Sequence, residues 1–96
     1  MSEPTTLRDY FKALIERVEA SDEIHNGGTD KNGFYKPTRT IILKQLNLLK
    51  DLHDKPRAHP MVKGAWEKLV EEMPPEWLVV PAGLREELTQ ILRGPS

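Results

Sequence analysis

Thr38–His53 reads TRTIILKQLNLLKDLH, and this stretch decides the fold. Its apolar residues, Ile41, Ile42, Leu43, Leu46, Leu48, Leu49 and Leu52, recur at helical spacing. At 100° per residue they cover roughly 220° of the helix circumference, far more than the single face of a surface helix. Gln45 and His53 fall inside that arc, while Arg39, Lys44, Asn47, Lys50 and Asp51 make up the polar remainder. Such a helix is either the centre of its domain or contacts a partner as well as the core.

On the N-terminal side, Leu7, Tyr10, Phe11, Leu14, Ile15 and Val18 keep to one narrow face. This is an amphipathic helix over about residues 7–20, with Thr6 as N-cap and Asp9 three positions on. On the C-terminal side, Pro60 suits the first turn of a third helix to about Met73. Met61, Val62, Ala65, Trp66, Leu69, Val70 and Met73 supply its apolar positions. Pro74-Pro75 ends it, and the short EWLVV run at 76–80 fits one helical turn or an extended tether equally. A fourth helix follows Pro81, about 82–93, with Leu84, Leu88, Ile91 and Leu92 on a narrow stripe before Gly94-Pro95. The expected fold is therefore all-α, a small four-helix bundle with the second helix at its centre. Phe11, Leu14, Ile15, Ile42, Leu46, Leu49, Trp66, Leu69, Leu88 and Ile91 are its expected core.

A long glycine-rich loop at 21–36 separates the first two helices. Its Asn26-Gly27 and Asn32-Gly33 pairs suit type I′ turns, but the flanks lack strand alternation, so a loop is expected rather than a hairpin. Few apolar residues anchor it, and mobility is expected of it.

Length and composition fit this plan. The 96 residues make one domain, 1–96, with flexible ends expected at 1–5 and 94–96. The chain is 38% hydrophobic and 30% charged, with net charge −1 and no cysteine. A disulfide scaffold, a thiolate metal site and a cysteine nucleophile are thereby excluded. No apolar run reaches the roughly 20 residues that cross a bilayer, so no membrane role is expected. The start, MSEPTTLRDYF, has neither a basic nor an apolar signal region, and a cytoplasmic location is expected.

No catalytic constellation emerges, and the chain reads as a non-enzyme without cofactor or metal. His53 and His59 stand six apart across Pro56, not at the i, i+3 or i, i+4 spacing of helical metal pairs. His53 reads instead as a histidine favouring a helix C-terminus. Gly28 and Gly33 have phosphate-loop spacing, but Phe34 and Tyr35 follow where lysine and a hydroxyl are needed. The calcium-loop pattern fails because, counting from Asp30, glycine stands at the fourth position rather than the sixth and Ile41 occupies the closing position. The pairs Glu71-Glu72 and Glu86-Glu87 point about 100° apart on a helix and form no dyad. Gly64 faces away from the apolar side of its helix. The match of Leu7-Arg8-Asp9 to Leu84-Arg85-Glu86 is no stronger than two amphipathic helices share by chance.

Charge is uneven along the chain. Residues 1–30 carry net −4, 31–68 net +6 and 69–96 net −3. Two functional readings follow. The first is an interaction or regulatory module that binds another protein or a second copy of itself, with Phe34, Tyr35, Leu43, Lys44, Lys50 and Arg57 as contacts. The self-associating form rests on the surplus apolar arc at Leu43. The second is a nucleic-acid-binding protein using Arg39, Lys44, Lys50, Lys55, Arg57 and Lys63. The acidic flanks weaken the long-range field of that basic stretch and argue against tight binding.

Overall fold

The computed structural model describes residues 4–94 and shows an all-α fold of four helices: α1 (Leu7–Ala20), α2 (Thr38–Leu52), α3 (His59–Glu72) and α4 (Ala82–Arg93). The expected ends at 1–3 and 95–96 lie outside the described residues.

α1 starts where Thr6 turns extended and its Oγ1 accepts the Asp9 N–H at 3.1 Å, satisfying one of the first-turn amides that a helix leaves unpaired. Its six predicted apolar residues are all buried. α2 begins after Pro37, which offers no side-chain cap. The cap comes from the preceding loop, where Asn26 Oδ1 accepts the Thr40 N–H at 3.1 Å. α2 then packs on α1 along one flank and on α3 along the other, with Ile42, Leu46 and Leu49 fully buried between them. Its broad apolar arc is explained by these two neighbours. Leu43, Leu48 and Leu52 pack half-buried against the same core. The arc is largely taken up inside the fold, and Leu43 keeps only part of its surface open to solvent.

Two short 3₁₀ turns complete the chain path. Pro56–Ala58 leads into α3, and Pro75–Trp77 takes the first two residues of the EWLVV run into one turn that plants Trp77 in the core, while Leu78, Val79 and Val80 continue without regular structure. α4 rests on α3 through Leu84 and Leu88. The body is flat, 40 × 33 × 19 Å. Of the expected core, Trp66 and Ile91 are only half-buried. Trp66 lies at the edge of the Val62–Ala65–Leu69 stripe, and Tyr10, Ile24, Met73 and Trp77 fill the interior instead.

α4 ends at Gly94, whose φ of +90° places it in a region that L side chains avoid. A Cβ there would also lie 2.6 Å from Nε2 of His59. His59 Nδ1 donates to the Ile91 carbonyl at 2.9 Å, joining the start of α3 to the last turn of α4.

Candidate binding surface

The 21–36 segment is not a plain loop. Gly28–Thr29 (β1) pairs antiparallel with Tyr35–Lys36 (β2), Gly28 opposite Lys36 and Thr29 opposite Tyr35. Asp30 builds the turn between them. Its amide donates to the Phe34 carbonyl at 2.9 Å, and its own carbonyl accepts the Gly33 N–H at 3.0 Å. Its Oδ1 accepts the amides of Asn32 at 2.8 Å and Phe34 at 3.0 Å. Gly33 takes φ +84°, the left-handed position of a three-residue hairpin loop. No residue other than glycine has positive φ among the described residues, so neither Asn-Gly pair forms a type I′ turn. Strands of two residues are too short to show alternation, which is why the sequence reads as loop.

Phe34 is 71% exposed and Tyr35 64% exposed. Phe34 closes the turn and Tyr35 opens β2, so the two aromatics stand side by side at the exposed part of the hairpin.

The approach to the hairpin is tied down. Arg39 of α2 donates to the carbonyls of Glu19 at 2.8 Å, Ser21 at 3.0 Å and Ile24 at 3.1 Å. The guanidinium thus closes the C-terminal end of α1, where unpaired carbonyls favour a cation. Ile24 is buried beneath it. Asn26 Nδ2 donates to Thr40 Oγ1 at 3.1 Å, adding to its cap on α2. At the far end, Lys36 Nζ lies 2.6 Å from Glu72 Oε1, and Lys68 Nζ lies 3.6 Å from the same oxygen. The Lys36 ammonium is held in its charged form chiefly by this contact, which raises its pKa.

The six predicted contact residues divide. Phe34 and Tyr35 come together on the hairpin. Leu43 is half-buried against the core, and Lys50 is half-buried on α2. Lys44 and Arg57 are exposed. The hairpin joins one end of α2 and Arg57 follows the other, a separation of roughly 22 Å along a helix of this length. The basic stretch is also not a uniform phosphate-facing set. Arg39 is engaged on the backbone carbonyls of Glu19, Ser21 and Ile24. Lys36 and Lys68 share Glu72, and Lys55 stands 4.0 Å from Asp54.

His53 and His59, apart in spacing, line one cleft of about 350 Å³ with Val62, Glu87, Gln90 and Ile91. His53 Nδ1 lies 3.0 Å from the carbonyls of Leu49 and Lys50, the helix-end role its position suggested. Among the described residues no three histidine, aspartate or glutamate side chains converge as a metal site. No described helix is long and apolar enough to cross a membrane.

Asn26, Lys36, Arg39 and Glu72 position the hairpin, and no motif marks them as a set. Only the Asn-Gly pair hinted at Asn26. Compared with known protein families, with curated proteins and with solved structures, the chain matches none.

Proposed function

We propose that the protein is a non-enzymatic, cytoplasmic interaction module that engages another protein through its hairpin, with Phe34 and Tyr35 as the anchoring side chains. The exposure of two neighbouring aromatics on a ribbon tethered at both ends carries this reading. Aromatic side chains supply large contact area with few rotatable bonds, and interfaces are enriched in them. Anchoring by Asn26, Arg39 and Lys36 lowers the ordering cost of binding. A different chain is favoured over a second copy because Leu43, the basis for self-association, packs against the core. Nucleic acid is the weaker alternative because Arg39, Lys36 and Lys68 already have partners within the fold.

The test is affinity capture from the native host, with nuclease treatment, comparing the wild-type chain with a Phe34→Ser/Tyr35→Ser variant. A partner protein retained through nuclease and lost from the variant is the expected result. Recovery that the variant leaves unchanged, or that nuclease abolishes, overturns the reading.

A further inference from the structure

We propose that Lys36 and Glu72 form a latch that decides whether the hairpin is fixed to the body or swings free, and so whether Phe34 and Tyr35 meet a partner in one geometry. That consequence rests on the function proposed above, whereas the latch itself does not.

The argument begins with what holds residues 27–36. Upstream, Asn26 is fixed to α2 by two hydrogen bonds with Thr40. Downstream, Pro37 is the first residue of α2's cap. Between them, the hydrogen bonds of Asp30, Asn32, Gly33 and Phe34 all close within the hairpin. The Lys36–Glu72 contact is the one polar tie from this strap to the body among the described residues. Apolar burial does not replace it, since Gly28, Thr29, Phe34 and Tyr35 are all exposed. A cleft of about 500 Å³ separates the hairpin base from the body, lined in part by Ile24, Gly27, Gly28, Thr38, Glu72 and Pro74. Gly27, with φ +126°, takes a conformation at the upstream end that other residues rarely adopt.

Glu72 suits the role of a catch. Its side chain is 4% exposed at the end of α3, so its charge is removed from water and needs a cation. Lys36 Nζ lies 2.6 Å from Glu72 Oε1, a charge-assisted contact between two side-chain ends. Such a tie can be made or broken as the strap moves. Lys68 lies on the same helix as Glu72 and stays near the carboxylate when Lys36 leaves. The open state therefore does not strand an unpaired charge.

Backbone ¹⁵N relaxation on the free protein tests the latch. In the wild-type chain the order parameters of residues 28–36 are expected near those of α2, about 0.8. Lys36→Met and Glu72→Gln should each lower them below about 0.6 while α1 and α2 stay rigid. Lys68→Met should leave the hairpin rigid. The exchanged pair Lys36→Glu/Glu72→Lys should restore rigidity, which separates a lost tie from damage to α3. A hairpin that is mobile in the wild-type chain, rigid in both single variants, or freed equally by Lys68→Met overturns the proposal. Because this is read without a partner, its failure is distinct from failure of the Phe34/Tyr35 reading.

Discussion

α2 and the hairpin that precedes it are held by opposite means. α2 is fixed by apolar area, with Ile42, Leu46 and Leu49 inaccessible to solvent between α1 and α3. The hairpin has almost no buried area and is fixed by a few polar contacts, from Asn26, Arg39 and Lys36. Burial is spread over many atoms and resists any single change short of a cavity. Point contacts fail one at a time. The element that can move without cost to the core is the one carrying the exposed aromatics.

The largest expected effect tests the two halves of this contrast together. Leu46→Ala removes a fully buried side chain and should cost about 2–5 kcal/mol, read from urea unfolding. Phe34→Ala, on a side chain 71% exposed, should change stability by no more than about 0.5 kcal/mol. Comparable losses from both would mean that Phe34 is packed and that the hairpin is not a separate element.

Arg39 comes next, because it belongs to both regions. Its guanidinium ties α2 to the end of α1 through three carbonyls. Arg39→Ala should destabilise by about 2 kcal/mol, the scale of hydrogen bonds to a charged group. Arg39→Lys should recover only part of this, because an ammonium lacks the planar fork that reaches several acceptors at once. Unchanged stability in Arg39→Ala would return this residue to the surface set and revive a phosphate-binding role.

The helices were legible in the sequence because their signal is local. Six apolar residues on one face suffice for α1, and the width of the arc on Thr38–His53 left α2 as either the centre of the domain or a helix that also meets a partner. The hairpin was not legible, since β1 and β2 contain two residues each and leave no period to detect. Arg39 and Lys36 could be read only as charge, because their partners lie at Glu19, Ser21, Ile24 and Glu72, distant in sequence and set by packing. Trp77 was missed because a single turn carries no periodicity. His53 and His59 meet because the Pro56–Ala58 turn brings the end of α2 and the start of α3 to one cleft, which spacing along one helix does not anticipate.

Two glycines sharpen the contrast on a smaller scale. Gly94→Ala places a Cβ at positive φ and into the His59 ring, and should cost about 1–3 kcal/mol. Gly64 lies mid-helix in α3, where an added Cβ meets nothing within 4 Å. Gly64→Ala should therefore stabilise the fold by about 1 kcal/mol through helix propensity. The two melting temperatures should move in opposite directions. A drop for Gly64→Ala would mark that face of α3 as a place where the backbone is closely approached.

The smallest effect at neutral pH concerns the one buried hydroxyl left without a partner among the described residues. Tyr10 is 4% exposed and its hydroxyl makes no hydrogen bond. Removing an unsatisfied buried group is close to neutral or favourable, so Tyr10→Phe should change stability by about 0 to +1 kcal/mol near pH 7. The difference should grow in alkali. Burial pushes the Tyr10 pKa up to about 12 from 10.0, because the charged phenolate is poorly solvated there. Below pH 10 both folded and unfolded chains hold this proton, and its contribution is constant. Between those values the unfolded chain releases it while the folded chain keeps it, so stability falls as pH rises. Lys36 acts in the same direction, since its ion pair raises its pKa and is lost when the ammonium finally deprotonates. Urea midpoints at about pH 9 and 11 separate the two. Tyr10→Phe should lose less stability than the wild-type chain over that interval, and the part that remains should shrink further when Lys36→Met is added. Equal losses in wild-type and Tyr10→Phe chains would mean that the phenol has found a partner in solution, and that the core is as well paired in its polar atoms as the turn of the hairpin.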